Sequence, residues 1–261
     1  MKLFAIFGNP VSHSVSPLMH NFAIKNFSLD ACYTRYLLED GEKLRECFFA
    51  LNLSGVNVTV PHKEAAFKAC DEVRGIAKEI EAVNTIVKEG DRLIGYNTDA
   101  PGFYESIKEF EAKKVLILGA GGTAKAISLY LRTKGFDVTI LNRSRKRLSF
   151  FKDKGFKVFS WEDFEISSFD MIVNTTSAGL ENDSFPVKEE ILRELFKEAS
   201  YCVDVIYNKN TPFLNLAEEF SLKKKDGKEM LLYQGVIAFE YFFSHSFSKE
   251  EITENMLKAF E

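Results

Sequence analysis

The chain has no apolar run long enough to cross a bilayer, no low-complexity tract and no internal repeat, which argues against a membrane-spanning, fibrous or repeat protein. Its four cysteines, Cys32, Cys47, Cys70 and Cys202, are scattered and form no C-x-x-C pair, and its four histidines form no H-x-x-x-H pair. Neither a disulfide framework nor a metal site is expected, and with no secretory signal in view the sequence reads as a reduced, cytoplasmic, soluble protein. The formal net charge of −4 is the wrong sign for a polyanion partner, so nucleic acid is excluded as a main ligand. What the 261 residues do contain is 46% hydrophobic side chains, enough for two α/β cores with a cleft between them. Monomer and homodimer are equally compatible with this composition.

The stretch from Val115 to Ala124 organises the rest. Val115-Leu116-Ile117-Leu118 suits a strand buried on both faces, and Gly119-Ala120-Gly121-Gly122 leads from it into a helical pattern opening at Thr123. Strand, glycine turn and helix make the setting in which a dinucleotide pyrophosphate is bound: Gly119 and Gly121 allow close backbone approach, and the helix start offers free N–H groups. The third glycine of that fingerprint is taken by Ala124, a tolerated change. Residues 137–141 read as the next buried strand, with Gly135 stopping the helix before it. An NAD site keeps a carboxylate at the end of this strand, whereas here the chain reads Asn142-Arg143-Ser144-Arg145-Lys146-Arg147. Arg143 and Arg147, four apart, suit the 2′-phosphate of NADP.

Before this unit, residues 2–7 read as a strand feeding the polar loop from Gly8 to Pro17, where Ser16 is expected to cap a helix with Leu18, Phe22 and Phe27 on its buried face. Ser14 has no such structural task and stands where α/β sheets bind ligands. A second strand at residues 32–38 and a third at 55–60 follow. The third carries Asn57 and Thr59 on one face and stops at Pro61, and next to it stands Lys63, a cation on the first turn of a helix, where the dipole disfavours it. A helix is expected over residues 73–80. A hairpin turning at Lys88-Glu89-Gly90-Asp91 should form an antiparallel sheet edge. Asp99 then either caps the next helix or presents a carboxylate to the cleft. Later strands are expected at 157–159, 169–173 and 201–205, with Lys223-Lys224-Lys225-Asp226 a solvated edge or turn. Asn174-Thr175-Thr176-Ser177 ends the middle one, where the fold lines the nicotinamide half of the site. Residues 230–239 read as a buried helix in which Gln234 needs a polar partner. Ile252, Met256 and Leu257 mark a last amphipathic helix.

Eight motifs in one order resemble the shikimate/quinate dehydrogenase family: Gly8-Asn9-Pro10 with Ser12 to Pro17, Asn57 to Pro61 with Lys63, Ala82 to Thr85, Asn97-Thr98-Asp99, Gly119 to Gly122, Asn142-Arg143-Ser144, Asn174 to Ser177 and Tyr233-Gln234-Gly235. The resemblance implies two α/β domains around a cleft. A substrate domain would cover residues 1–101 completed by 226–261, and a Rossmann-like NADP domain residues 102–225. It implies NADPH-dependent reduction of 3-dehydroshikimate to shikimate in aromatic amino-acid biosynthesis, with Lys63 and Asp99 as the catalytic pair. Ser14, Ser16, Thr59, Lys63, Asn84, Asp99 and Gln234 would hold the substrate. Gly119, Ala120, Gly121, Gly122, Thr123, Asn142, Arg143, Ser144, Arg147, Thr175, Ser177, Val205, Tyr207 and Gly227 would hold the cofactor. As hydride reaches the ketone carbon, the Lys63 ammonium can protonate the oxygen while Asp99 orients it. Two rivals remain, a quinate/shikimate dehydrogenase with broader substrate or NAD use and a non-catalytic NADPH-binding regulator.

Overall fold

The structure, a computed structural model, describes residues 1–260 and separates into two compact units: Met1–Gly102 with the chain from Leu232 onward, and Phe103–Leu231. The first unit opens with β1 (Lys2–Gly8), α1 (Ser16–Asn26), β2 (Ala31–Leu37), α2 (Leu44–Ala50), β3 (Gly55–Val58) and α3 (Lys63–Ala69). It continues through β4 (Glu72–Val73), α4 (Ile76–Ile80), β5 (Thr85–Glu89), β6 (Arg92–Tyr96) and the start of α5 (Asp99–Ile107). Its sheet runs β2-β1-β3-β5-β6-β4. β1 is parallel to both β2 and β3, whereas β5 is antiparallel to β3 and β6 antiparallel to β5. Two reversals return β6 to the direction of β3. The ends of β1, β3 and β6 and the start of β5 therefore share one edge of the sheet.

Two expectations about the strands of this sheet fail. The helix read over residues 73–80 divides: Val73 pairs with Gly95 in a strand, Gly75 at φ +62° interrupts the chain, and the helix runs only from Ile76. In consequence the hairpin is internal, because β4 covers its outer strand.

The second unit contains β7 (Lys114–Leu118), α6 (Gly122–Thr133), β8 (Asp137–Asn142), α7 (Ser149–Asp153), β9 (Lys157–Ser160) and β10 (Met171–Asn174). α8 (Glu189–Glu198), β11 (Tyr201–Asp204), α9 (Pro212–Glu219) and β12 (Lys223–Lys225) complete it. All six strands are parallel, in the order β12-β11-β10-β7-β8-β9. From β7 the chain winds outward to β8 and β9, then restarts at β10 on the other side, which makes the β7/β10 junction the topological switch point where such sheets bind ligands. Leu116, Ile172, Leu192, Phe196, Phe213 and Leu216 belong to one buried cluster of this unit. Of the two alternatives for the lysine run, an edge or a turn, the structure shows the edge: residues 223–225 form the edge strand β12, paired to residues 201–203. An edge strand tolerates the charges because its side chains reach acids, Lys224 at Glu218 (2.6 Å) and Lys225 at Glu229 (2.7 Å) and Glu109 (2.8 Å).

The chain returns to the first unit through α10 (Lys228–Phe242) and ends in α11 (Lys249–Leu257), which packs on α1. The buried residues of α1 include Met19, His20, Ala23 and Ile24, while Leu18 is 47% exposed; Leu257 likewise points out at 43%, leaving Ile252 and Met256 inside. His20 stacks flat on Tyr33, ring centroids 4.2 Å apart, with Phe239 and Phe242 nearby. Burial lowers its pKa from 6.5 to about 3, so the ring is neutral and serves as an aromatic core residue.

That burial makes stability depend on acidity. The unfolded chain protonates His20 below pH 6.5 while the folded chain does not until about pH 3, so this contribution is complete above pH 6.5 and is lost as pH falls through that window. Wild-type unfolding free energy should lose up to about 1.4 kcal/mol per pH unit there from this group. In urea titrations at a series of pH values, His20→Phe should show a correspondingly shallower acid slope; parallel slopes would refute the account.

Candidate active site

In the first unit, the polar residues singled out in the sequence gather on the shared sheet edge. Lys63 opens α3 directly after the loop that leaves β3, and its backbone carbonyl accepts from Val83 N at 3.0 Å, beside the entry to β5. Asp99 opens α5 directly after β6. Lys63 Nζ donates to Asp99 Oδ2 at 2.6 Å, with the two side chains 28% and 18% exposed. Asp99 is free to do so because Asn97, not Asp99, caps α5: Asn97 Oδ1 accepts from the backbone N–H groups of Asp99 (3.2 Å) and Ala100 (3.4 Å). The unfavourable cation at the start of α3 is thus offset by a neighbouring carboxylate. His62, before it, is buried and its Nε2 meets Leu38 O at 2.6 Å.

Asn84 is buried and holds this edge together. Its Oδ1 accepts from Thr98 N at 2.7 Å and its Nδ2 donates to Thr98 Oγ1 at 3.0 Å, tying the start of β5 to the turn that carries Asp99. Thr59 is half-buried, its N–H bonded to Phe7 O at 2.8 Å, and its methyl group occupies the space that a side chain on Gly8 would need. Gln234 is half-buried on α10 rather than enclosed. A Cβ on Gly102 would lie 2.6 Å from Gln234 N, so α5 and α10 meet backbone to backbone at this point.

The backbone contact expected of Ser16 falls to Ser14. Ser16 is the first residue of α1 and caps nothing; it is Ser14 whose Oγ accepts the Ser16 N–H, at 3.3 Å. A local pattern of serine before proline does not distinguish these two positions. Arg35 has no signal in the sequence, and for Asn57 and Thr98 the motifs that contain them do not give their partners. Arg35, from β2, donates through Nε and Nη2 to Ser14 O at 3.0 and 2.6 Å. Asn57 accepts from Tyr33 Oη at 2.7 Å and donates to Thr85 Oγ1 at 3.0 Å, while Thr98 locks onto Asn84. Each bond joins segments distant in the chain, and no linear spacing announces it.

In the second unit, a cavity of about 590 Å³ opens at the switch point. Gly119, Ala120 and Gly121 form one side of it, Asn142, Arg143 and Arg147 another, and Thr175 and Ser177 a third. Gly119 needs to be glycine for reasons internal to the protein, since its φ is +110° and a Cβ would lie 2.8 Å from Thr175 Oγ1. Gly121 and Gly122 are different: a Cβ on either would meet no protein atom, so open space lies in front of them. α6 starts there with no side-chain cap, leaving its first N–H groups for an outside acceptor. The loop after β10 is pinned in place, Thr175 Oγ1 donating to Leu118 O (2.8 Å) and Asn174 Nδ2 to the buried Asp204 (3.1 Å). Burial raises the Asp204 pKa in spite of further donors from Thr211 Oγ1 and Ile206 N.

Arg143 and Arg147 are exposed, and among the described residues no group is bonded to either. An open cradle at a helix start with two uncommitted guanidinium groups fits a phosphorylated dinucleotide. Gly122, Thr123, Ser144, Val205, Tyr207 and Gly227 stand outside the lining of this cavity. Gly227 has its own explanation: its N–H bonds to Ile206 O at 3.0 Å, and a side chain there would collide with Val205 O. Conversely, Trp161, Phe185 and Pro186 line the cavity although no sequence motif marks them. Among the described residues no cluster of side chains could hold a metal ion, and no helix is long and apolar enough to cross a membrane.

Comparison with known proteins agrees with both units. Residues 6–86 match the profile of the shikimate dehydrogenase substrate binding domain, and residues 104–205 that of shikimate / quinate 5-dehydrogenase. The chain is 46% identical to the shikimate dehydrogenase (NADP(+)) of Helicobacter hepaticus, covering 100% of this chain and 98% of that one, and 44% identical to its counterpart in Helicobacter pylori strain 26695, covering 100% and 99%. Among solved structures, the shikimate 5-dehydrogenase of Thermus thermophilus in complex with NADP(H) and shikimate superposes with a TM-score of 0.86 at 33% identity, over 99% of this chain and 100% of that one. With full-length identity of this order and both profiles in sequence order, the chain belongs to the shikimate dehydrogenase family.

Proposed function

We propose that this chain interconverts shikimate and 3-dehydroshikimate with NADP as hydride carrier, as a cytoplasmic enzyme whose first unit takes the substrate and whose second takes the cofactor. The observation that carries the reading is the 2.6 Å Lys63–Asp99 pair on a sheet edge lined with hydroxyl and amide groups. When bound, NADPH supplies the hydride to the ketone carbon. Negative charge then grows on the carbonyl oxygen, and the ammonium of Lys63 neutralises it by giving up a proton; in the oxidation direction Lys63 takes that proton back. Asp99 holds the Lys63 side chain in one rotamer and accepts from the substrate hydroxyl. Ser14, Ser16, Thr59, Asn84 and Gln234 supply the remaining polar contacts to the carboxylate and hydroxyls. Arg143 and Arg147 bind the 2′-phosphate, and the open backbone at Gly121 and the start of α6 receive the pyrophosphate.

Lys63→Ala should lower kcat for shikimate oxidation by about 100- to 10,000-fold, the usual contribution of a positioned acid–base group, with a much smaller change in KM for shikimate. A rate near wild type would remove Lys63 from the chemistry. Arg143→Ala should raise KM for NADP about tenfold or more, the size of a charge-assisted hydrogen bond, while the weaker reaction with NAD stays the same. If both cofactors suffer equally, the arginine is not a 2′-phosphate ligand. Initial rates of the wild-type protein should favour shikimate over quinate and NADP over NAD; comparable rates would move the chain to the broader dehydrogenase.

A further inference from the structure

The cavity of the second unit has an aromatic wall that the dinucleotide fingerprint does not account for. Resting on the reading of this cavity as the NADP site, we propose that Trp161 binds the adenine ring of the cofactor, its indole lying against the purine beside the 2′-phosphate clamp. β8 and β9 are paired in parallel with Asn142 opposite Ser160, so Trp161 follows β9 in the same register in which Arg143 follows β8. Both side chains line the cavity.

The turn that carries Trp161 is built. Asp163 Oδ1 accepts from Ser160 N and from Ser160 Oγ, each at 2.6 Å, and Asp163 N donates back to Ser160 O at 3.3 Å. Arg145 Nε donates to the same Ser160 hydroxyl at 3.2 Å, and its Nη2 lies 3.6 Å from Glu162 and from Asp163. The arginines therefore divide: Arg145 is committed to holding this turn, and Arg143 and Arg147 are left for a ligand. Trp161 itself is only partly buried, packing like Phe159, Phe164 and Phe185 against the core cluster, and among the described residues its indole N–H has no acceptor. A flat π surface on a fixed turn, next to two free guanidinium groups, selects a ligand with a phosphate close to a planar heteroaromatic ring. A purely structural indole would need only the core contacts.

Trp161 is the sole tryptophan of the chain, so intrinsic tryptophan emission reports on this side chain alone. The probe is adenosine 2′,5′-bisphosphate, which carries the adenine and the 2′-phosphate without the nicotinamide. Titration of wild-type protein should change the emission saturably, and Trp161→Leu, which keeps apolar bulk without a π face, should weaken calorimetric binding of the probe and raise KM for NADP about tenfold, within the range of base–aromatic stacking. In the same variant kcat and KM for shikimate should stay within about twofold, which a misfolded turn would not allow, and Trp161→Phe should recover most of the affinity. Unchanged emission on saturation, or a KM for NADP in Trp161→Leu within about twofold of wild type, overturns the assignment while leaving the enzyme reading intact. Absence of NADP-dependent shikimate oxidation by the wild-type protein would overturn that reading and this one with it.

Discussion

The Lys63–Asp99 ion pair exists because the first sheet reverses twice. Lys63 follows β3 and Asp99 follows β6, thirty-six positions apart; a single reversal would put them on opposite edges, and the second makes β6 parallel to β3 again, so the ends of both strands fall on one edge. The antiparallel steps β3–β5 and β5–β6 bring the start of β5 and the end of β6 alongside the end of β3. Asn84 then binds Thr98, Asn97 caps α5, and the carboxylate of Asp99 is left with nothing to do but meet the ammonium. The bonds made by Asn84 and Asn97 are amide side chains to backbone N–H groups in a buried or part-buried setting, where an unmade bond is costly, so the two charged groups are held by a frame as well as by their own attraction.

The second unit solves a different electrostatic problem. A parallel sheet directs its helix starts and strand ends to one side, and at the switch point this places uncapped N–H groups next to glycine backbone. The basic segment after β8 is sorted by its surroundings: Arg145 finds Glu162 and Asp163, whereas Arg143 and Arg147 find no acid among the described residues. Positive potential is left at the mouth of the cavity although the whole chain is acidic, with a formal net charge of −4.

Much of this is readable in one dimension, and the failures are informative. The β7–α6–β8 unit is legible because a fully buried strand, a glycine turn and a helix leave consecutive signals within a short span of chain. The lysine run of β12 does not read as a strand because an edge strand is made by its neighbour, here residues 201–203, and by the acids its side chains reach. Val73 reads as helix because its own segment is short and its strand partner, Gly95, is distant in the chain. The backbone contact falls to Ser14 and not to Ser16 because either hydroxyl could bond the start of a helix beside Pro17, and only the backbone path decides which hydroxyl reaches which N–H.

By itself the sequence determined the α/β class, the glycine turn, the basic rather than acidic residue after β8, and the identity of the polar groups that fall near strand ends. Those are properties of local periodicity and residue chemistry. Tertiary structure alone decided that Lys63 and Asp99 lie 2.6 Å apart, that Arg35 clasps the carbonyl of Ser14, that Asn84 is tied to Thr98, and that Trp161 stands beside Arg143. The physical reason is the same in each case: strand register and strand order set which residues become neighbours, and both are fixed by pairing between segments far apart in the chain.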